Sequence, residues 1–116
     1  MRPLEESRTQ PEANQLCLLL RVPAGLSWFR GHFPVQPLLP GVAQLDWVMA
    51  YGAELAPGLR FSSIENVKFQ RPVLPDSLLE LNLRWDAGRS ALSFEYRLVN
   101  DDVRQPVSSG KIKLCP

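Results

Sequence analysis

The chain has 116 residues, 13 Lys plus Arg against 12 Asp plus Glu, a formal net charge of +1 and a hydrophobic fraction of 45%. Its length suits one domain, able to bury about two thirds of the surface of its unfolded chain. The near balance of charge gives no global field for nucleic acid or an anionic membrane, and no run approaches the roughly 18 apolar residues of a membrane span.

Met1–Gln15 is polar and carries Glu5, Glu6 and Glu12, which excludes a signal peptide there and points to the cytoplasm. Residues 1–13 are expected to be a frayed, flexible end, with a single domain over 14–116. Cys17 and Cys115 lack metal-ligand spacing and read as reduced thiols, although terminal strands lying side by side would bring them together. Residues 15–22, QLCLLLRV, form an apolar run of strand length, so a buried strand is expected. From Pro23 a loop leads to GHFPVQPLLPG, residues 31–41, which holds the single histidine, three prolines and two glycines. Proline fixes φ and glycine admits backbone closed to other residues, so the loop is built to hold one shape around His32.

Residues 41–56, GVAQLDWVMAYGAELA, are predicted to form the principal helix, with Pro40 at its start and Pro57-Gly58 as a stop. At 1.5 Å per residue it would be a rod of roughly 24 Å. Its polar residues are Gln44, Asp46, Glu54 and the Tyr51 hydroxyl; a helix apolar nearly all round is a buried one. Asp46 in its middle then faces solvent, caps a loop or is held by partners, because an unpaired buried carboxylate costs several kcal/mol.

Strands follow the helix. Residues 63–71 alternate loosely. In 78–85, Leu79, Leu81, Leu83 and Trp85 share a face, and Leu92, Phe94, Tyr96 and Leu98 do so after the turn at 86–89; Asn100-Asp101-Asp102 turns into a last strand around 103–114. This period-two pattern predicts an antiparallel meander. The fold class is therefore α+β: one long central helix wrapped by a curved antiparallel sheet of five or six strands.

The stretch GHFPVQPLLPGVAQLD resembles the signature of the (3R)-hydroxyacyl-[acyl carrier protein] dehydratases, with Gly31, His32, Phe33, Pro34, Pro37, Pro40, Gly41 and Asp46 in register. VKFQRPVLPDSL, residues 67–78, is similar to a later segment of that family. The resemblance covers roughly residues 27–85 and implies the hot-dog fold. It also implies a homodimer or a larger assembly built from it, with active sites at the interface, the histidine coming from one chain and the acid from the other. The aspartate at the acid position resembles the branch that makes unsaturated fatty acids; the short chain is similar to stand-alone dehydratases of aryl polyene gene clusters.

The implied reaction explains the residue types. His32, titrating near neutral pH, suits removal of a proton from C2 of a 3-hydroxyacyl thioester. The Gly41 N–H, at a helix N-terminus, suits the thioester oxyanion, and Asp46, kept protonated by apolar neighbours, suits the departing 3-hydroxyl. Phe33, Leu38, Val42, Trp47, Phe69 and Arg71 are the residues expected to line the acyl and phosphopantetheine path. No cofactor or metal is expected beyond the phosphopantetheine on which acyl carrier protein delivers the substrate. The product is a trans-2-enoyl thioester for fatty-acid or polyene synthesis.

Three positions depart from the pattern. Ala50 stands where the family has glutamine, Pro75-Asp76-Ser77 lacks the family's glycine, and Trp47 is bulkier than the usual small residue. Two other readings remain open at this point. A hot-dog thioesterase would hydrolyse the same thioesters, and a non-catalytic binding module would only hold them. The GHFP loop argues against the first, since hydrolysis needs no base at C2; Ala50 keeps the second.

Overall fold

The computed structural model describes residues 2–26 and 38–116. In chain order these form β1 (Leu4–Thr9), β2 (Gln15–Arg21), α1 (Gly41–Gly52), β3 (Arg60–Phe69), β4 (Leu78–Asp86), β5 (Ala91–Asn100) and β6 (Val103–Cys115). The strands make one six-stranded sheet in the order β1-β2-β4-β5-β6-β3, and each neighbouring pair is antiparallel. One helix against one antiparallel sheet is the α+β hot-dog architecture.

Alternation builds the core. Leu16, Leu18 and Leu20 of β2 are buried together with Leu79, Leu81 and Leu83 of β4 and Leu92, Phe94 and Tyr96 of β5. Successive side chains of a strand point to opposite faces, so each strand presents one apolar row. The run 15–22 is thus a strand with one buried face; the residues between are half-buried. Register then lines up residues across the sheet. Leu18 faces Leu81, Leu81 faces Tyr96, Tyr96 faces Ser108 and Ser108 faces Phe69, a single row across five strands. Against this sheet α1 buries Ala43, Gln44, Trp47, Val48, Tyr51 and Gly52. A Cβ on Gly52 would overlap the Leu92 side chain, so glycine there lets the helix end approach β5.

Two expectations are corrected. Residues 4–9 are not a frayed end but β1, an edge strand paired along β2. All six of its residues are exposed, which leaves no apolar alternation to read. Main-chain pairing holds it, with exposed ion pairs from Arg8 to Glu5 and Glu54 (both 2.6 Å) and from Arg21 to Glu6 (3.0 Å), each worth little. The helix closes at Gly52, four residues short of 56. Beyond it the chain tightens into turns in which Glu54 N–H donates to the Tyr51 carbonyl (3.1 Å) and Leu55 N–H to the Gly52 carbonyl (2.9 Å). Cys17 and Cys115 are free thiols, as expected, and their strands are separated by β4 and β5; burial pushes the Cys17 thiol up, with the Glu80 carboxylate adding to the shift.

The missing glycine in Pro75-Asp76-Ser77 has a structural answer. Asp76 adopts φ +66°, the left-handed conformation that glycine takes without strain and Asp tolerates. Its N–H donates to the Val22 carbonyl (2.7 Å), and Val22 N–H donates to the Ser77 carbonyl (2.9 Å), pinning the turn to the end of β2. Asp76→Gly should therefore melt at the wild-type temperature or slightly above. Asp76→Val should cost about 1–2 kcal/mol, the penalty of a left-handed residue with a branched side chain. Thermal melts of the two variants give the comparison, and equal destabilisation by both would contradict it.

Candidate functional site

Pro40, extended at φ −69° and ψ 156°, delivers the chain into α1. Just before it, the Leu39 N–H donates to the Val73 carbonyl (2.9 Å). The first intrahelical donors, Ala43 and Gln44 N–H, both reach the Pro40 carbonyl (3.1 and 3.3 Å). The amides of Gly41 and Val42 find no acceptor among the described residues, and neither a side-chain cap nor an acidic residue occupies the first turn. Among the described residues nothing caps the positive end of the helix, an arrangement that favours an oxyanion.

Phe69, last residue of β3, lies directly against this end. A Cβ on Gly41 would come within 2.6 Å of the Phe69 Cζ, so glycine is what allows the ring so close. Around the pair lies an open depression of about 380 Å³, lined by Leu38, Gly41, Gln44, Phe69, Arg71 and Pro72. The fold thereby gathers four of the predicted site residues, Leu38, Gly41, Phe69 and Arg71, from the helix start and the end of β3. A depression of similar size, about 390 Å³, lies over β2, β4 and β5 near Cys17, Asn82 and Glu95. It holds no helix terminus and none of the predicted residues, so the helix-start depression is the candidate site.

The other predicted residues are distributed differently. Trp47 is fully buried in the core, and Val42 is 63% exposed. His32 and Phe33 lie outside the described residues. Asp46 is exposed. At 100° per residue it stands about 140° around the helix from Gly41 and 200° from Gln44, so within one chain its carboxylate faces away from the depression. Tyr51 lies buried near the far end of α1, its ring under the Arg2 guanidinium at 5.3 Å, and burial pushes its hydroxyl up.

Sequence reading missed the role of Gln44. It is 3% exposed and lines the depression. Ser108 Oγ donates to its Oε1 (2.6 Å), and the Tyr96 hydroxyl donates to its main-chain carbonyl (2.6 Å). Burial holds the Tyr96 hydroxyl well above its usual range, so it remains a donor. The Gln44 NH2 has no acceptor among the described residues, and a buried donor left unpaired costs about 1–3 kcal/mol. The available signal was a polar residue on the inner face of an apolar helix, one turn after Gly41.

Known proteins resemble this chain in sequence and fold. The family model described as ApeI-like, ApeI dehydratase, matches residues 7–111. The solved dehydratase heterocomplex ApeI:P from Xenorhabdus doucetiae contains a chain 52% identical, at TM-score 0.92, with all of both chains covered. An uncharacterised protein from Erwinia carotovora subsp. atroseptica is 50% identical at TM-score 0.92, covering 100% of this chain and 98% of that one. The 3-hydroxyacyl-[acyl-carrier-protein] dehydratase FabZ of Roseiflexus sp. (strain RS-1) is 34% identical over 79 residues, 61% of this chain. The chain spans about half the length of the curated relatives it matches, 55% for that protein.

Proposed function

Because this chain belongs to the ApeI-like dehydratase family, we propose that it removes water from 3-hydroxyacyl thioesters on acyl carrier protein. The FabZ relatives carry that activity in their names, and the observation that carries it for this chain is the helix start that no described residue caps. There, the Gly41 amide, which has no acceptor among the described residues, and the Phe69 ring meet in a depression with Arg71 at its edge.

In the proposed reaction His32 takes the proton from C2 while the thioester oxygen gathers charge against the Gly41 N–H. The C3–O bond then breaks, the electron pair of the C2–H bond becomes the C2–C3 double bond, and Asp46 supplies the proton with which the hydroxyl leaves as water. Arg71, exposed at the rim, suits the phosphate of the phosphopantetheine arm. Phe33, Leu38 and Phe69 are assigned to the acyl and pantetheine path. The reaction is placed in the cytoplasm, in fatty-acid or aryl polyene synthesis.

The acid is assigned to a partner chain. Two observations support this: Asp46 faces away from its own chain's depression, and β3 is a sheet edge exposed along its length. Phe61, Ile64 and Phe69 of β3 are 45–53% exposed, and Val42 beside Asp46 is 63% exposed. An unpaired edge strand with apolar side chains is a template for another chain. A second copy related by a two-fold axis is the simplest partner; the heterocomplex formed by the Xenorhabdus relative makes a related hot-dog chain the alternative.

Mass spectrometry of a 3-hydroxyacyl-carrier protein incubated with the enzyme tests the proposal. The expected result is loss of one water. Release of free carrier thiol instead would indicate a thioesterase, and an unchanged mass a binding module.

A further inference from the structure

We infer that the Gln44 carboxamide recognises the C3 hydroxyl of the bound acyl chain, held in place by a buried frame of Ser108 and Tyr96. The inference rests on the dehydratase reading and adds a specificity-determining group to it.

The frame is built by the cross-strand row. Phe69, Ser108 and Tyr96 stand directly opposite one another on β3, β6 and β5, and all three meet the first turn of α1. Phe69 covers Gly41, Ser108 Oγ holds the Gln44 Oε1, and the Tyr96 hydroxyl holds the Gln44 carbonyl. Ser108 is 1% exposed and Tyr96 is fully buried. Two short hydrogen bonds thus fix the backbone and the oxygen end of the amide. The NH2 end, with two donors and no acceptor among the described residues, belongs to a residue that lines the depression.

Position selects the ligand atom. Gln44 follows Gly41 by three residues, on the same helix face and about 4.5 Å further along the axis. With its thioester oxygen at the Gly41 N–H, the substrate carries its C3 oxygen two carbons further on. The pantetheine arm approaches past the exposed Arg71, whereas Gln44 is buried at the floor. The acyl segment that reaches the floor bears one polar substituent near its head, the 3-hydroxyl. A buried donor that gains its partner only from the hydroxylated chain rejects the saturated one, because that chain leaves the donor unpaired.

The test is binding of two unreactive probes, the amide isosteres of 3-hydroxyoctanoyl- and octanoyl-pantetheine, measured by calorimetry. Wild type is expected to prefer the hydroxylated probe on the order of tenfold, the size of one hydrogen bond. Gln44→Met should reduce the preference below about twofold, and Ser108→Ala, which frees the oxygen end of the amide, to an intermediate value. The ratio of two affinities in one variant is insensitive to general loss of stability. An unchanged ratio in Gln44→Met overturns the inference, and so does a wild-type protein without preference. If that wild-type protein still dehydrates the thioester, only the role of Gln44 falls; if it dehydrates nothing and binds neither probe, the functional reading falls with it.

Discussion

His32→Ala is expected to lose dehydration by a factor on the order of 10²–10⁴, the usual contribution of a positioned general base, while its melting temperature stays at the wild-type value. The histidine lies nine residues before Gly41 in a segment stiffened by Pro34, Pro37 and Pro40. Such stiffness makes sense as preorganisation of a base against a fixed oxyanion donor. Pro40 leads directly into a helix start whose Gly41 and Val42 amides find no acceptor among the described residues. A loop side chain contributes little packing, so stability should not report its loss. Turnover within a few-fold of wild type would take His32 out of the mechanism.

Mixing two inactive proteins should restore activity. His32→Ala and Asp46→Asn, unfolded and refolded together, are expected to recover roughly a quarter of the wild-type rate if the assembly is a two-fold dimer with shared sites. Half of the randomly formed dimers are mixed, and in each of those one of two sites keeps both groups. The expectation rests on Asp46 standing on the helix face opposite Gln44 and on the exposed β3 edge with Phe61 and Ile64. A site formed within one chain regains nothing in such a mixture. Zero recovery from a sample shown to contain mixed dimers would therefore reject the shared site.

Parts of this molecule are legible residue by residue. The alternation of Leu79, Leu81 and Leu83, and of Leu92, Phe94 and Tyr96, marks two strands with one buried face each, and both are found. Pro40-Gly41 marks the helix start, which is found at Gly41. Less was visible where the signal is not local. β1 is exposed on both faces, so its order comes from pairing with β2 and leaves no pattern in its own residues. Leu55 and Ala56 continue the apolar composition of the helix, but the i→i+3 bonds at Tyr51 and Gly52 end it earlier.

The sequence by itself determined β2, β4, β5 and β6, the helix start and the fold class, because period and turn chemistry act between near neighbours. Gly41 and Asp46 were chosen, with His32, from the resemblance of GHFPVQPLLPGVAQLD to the dehydratase signature. Only the tertiary structure decided which of them meet. Sheet register puts Phe69 opposite Ser108 and Ser108 opposite Tyr96, which lays a ring on Gly41 and frames the buried Gln44. Helix rotation turns Asp46 away from the same depression. Register depends on pairing between strands distant in the chain, where a shift of one residue would send every side chain to the other face. No local pattern around Gln44 or Phe69 carries that information.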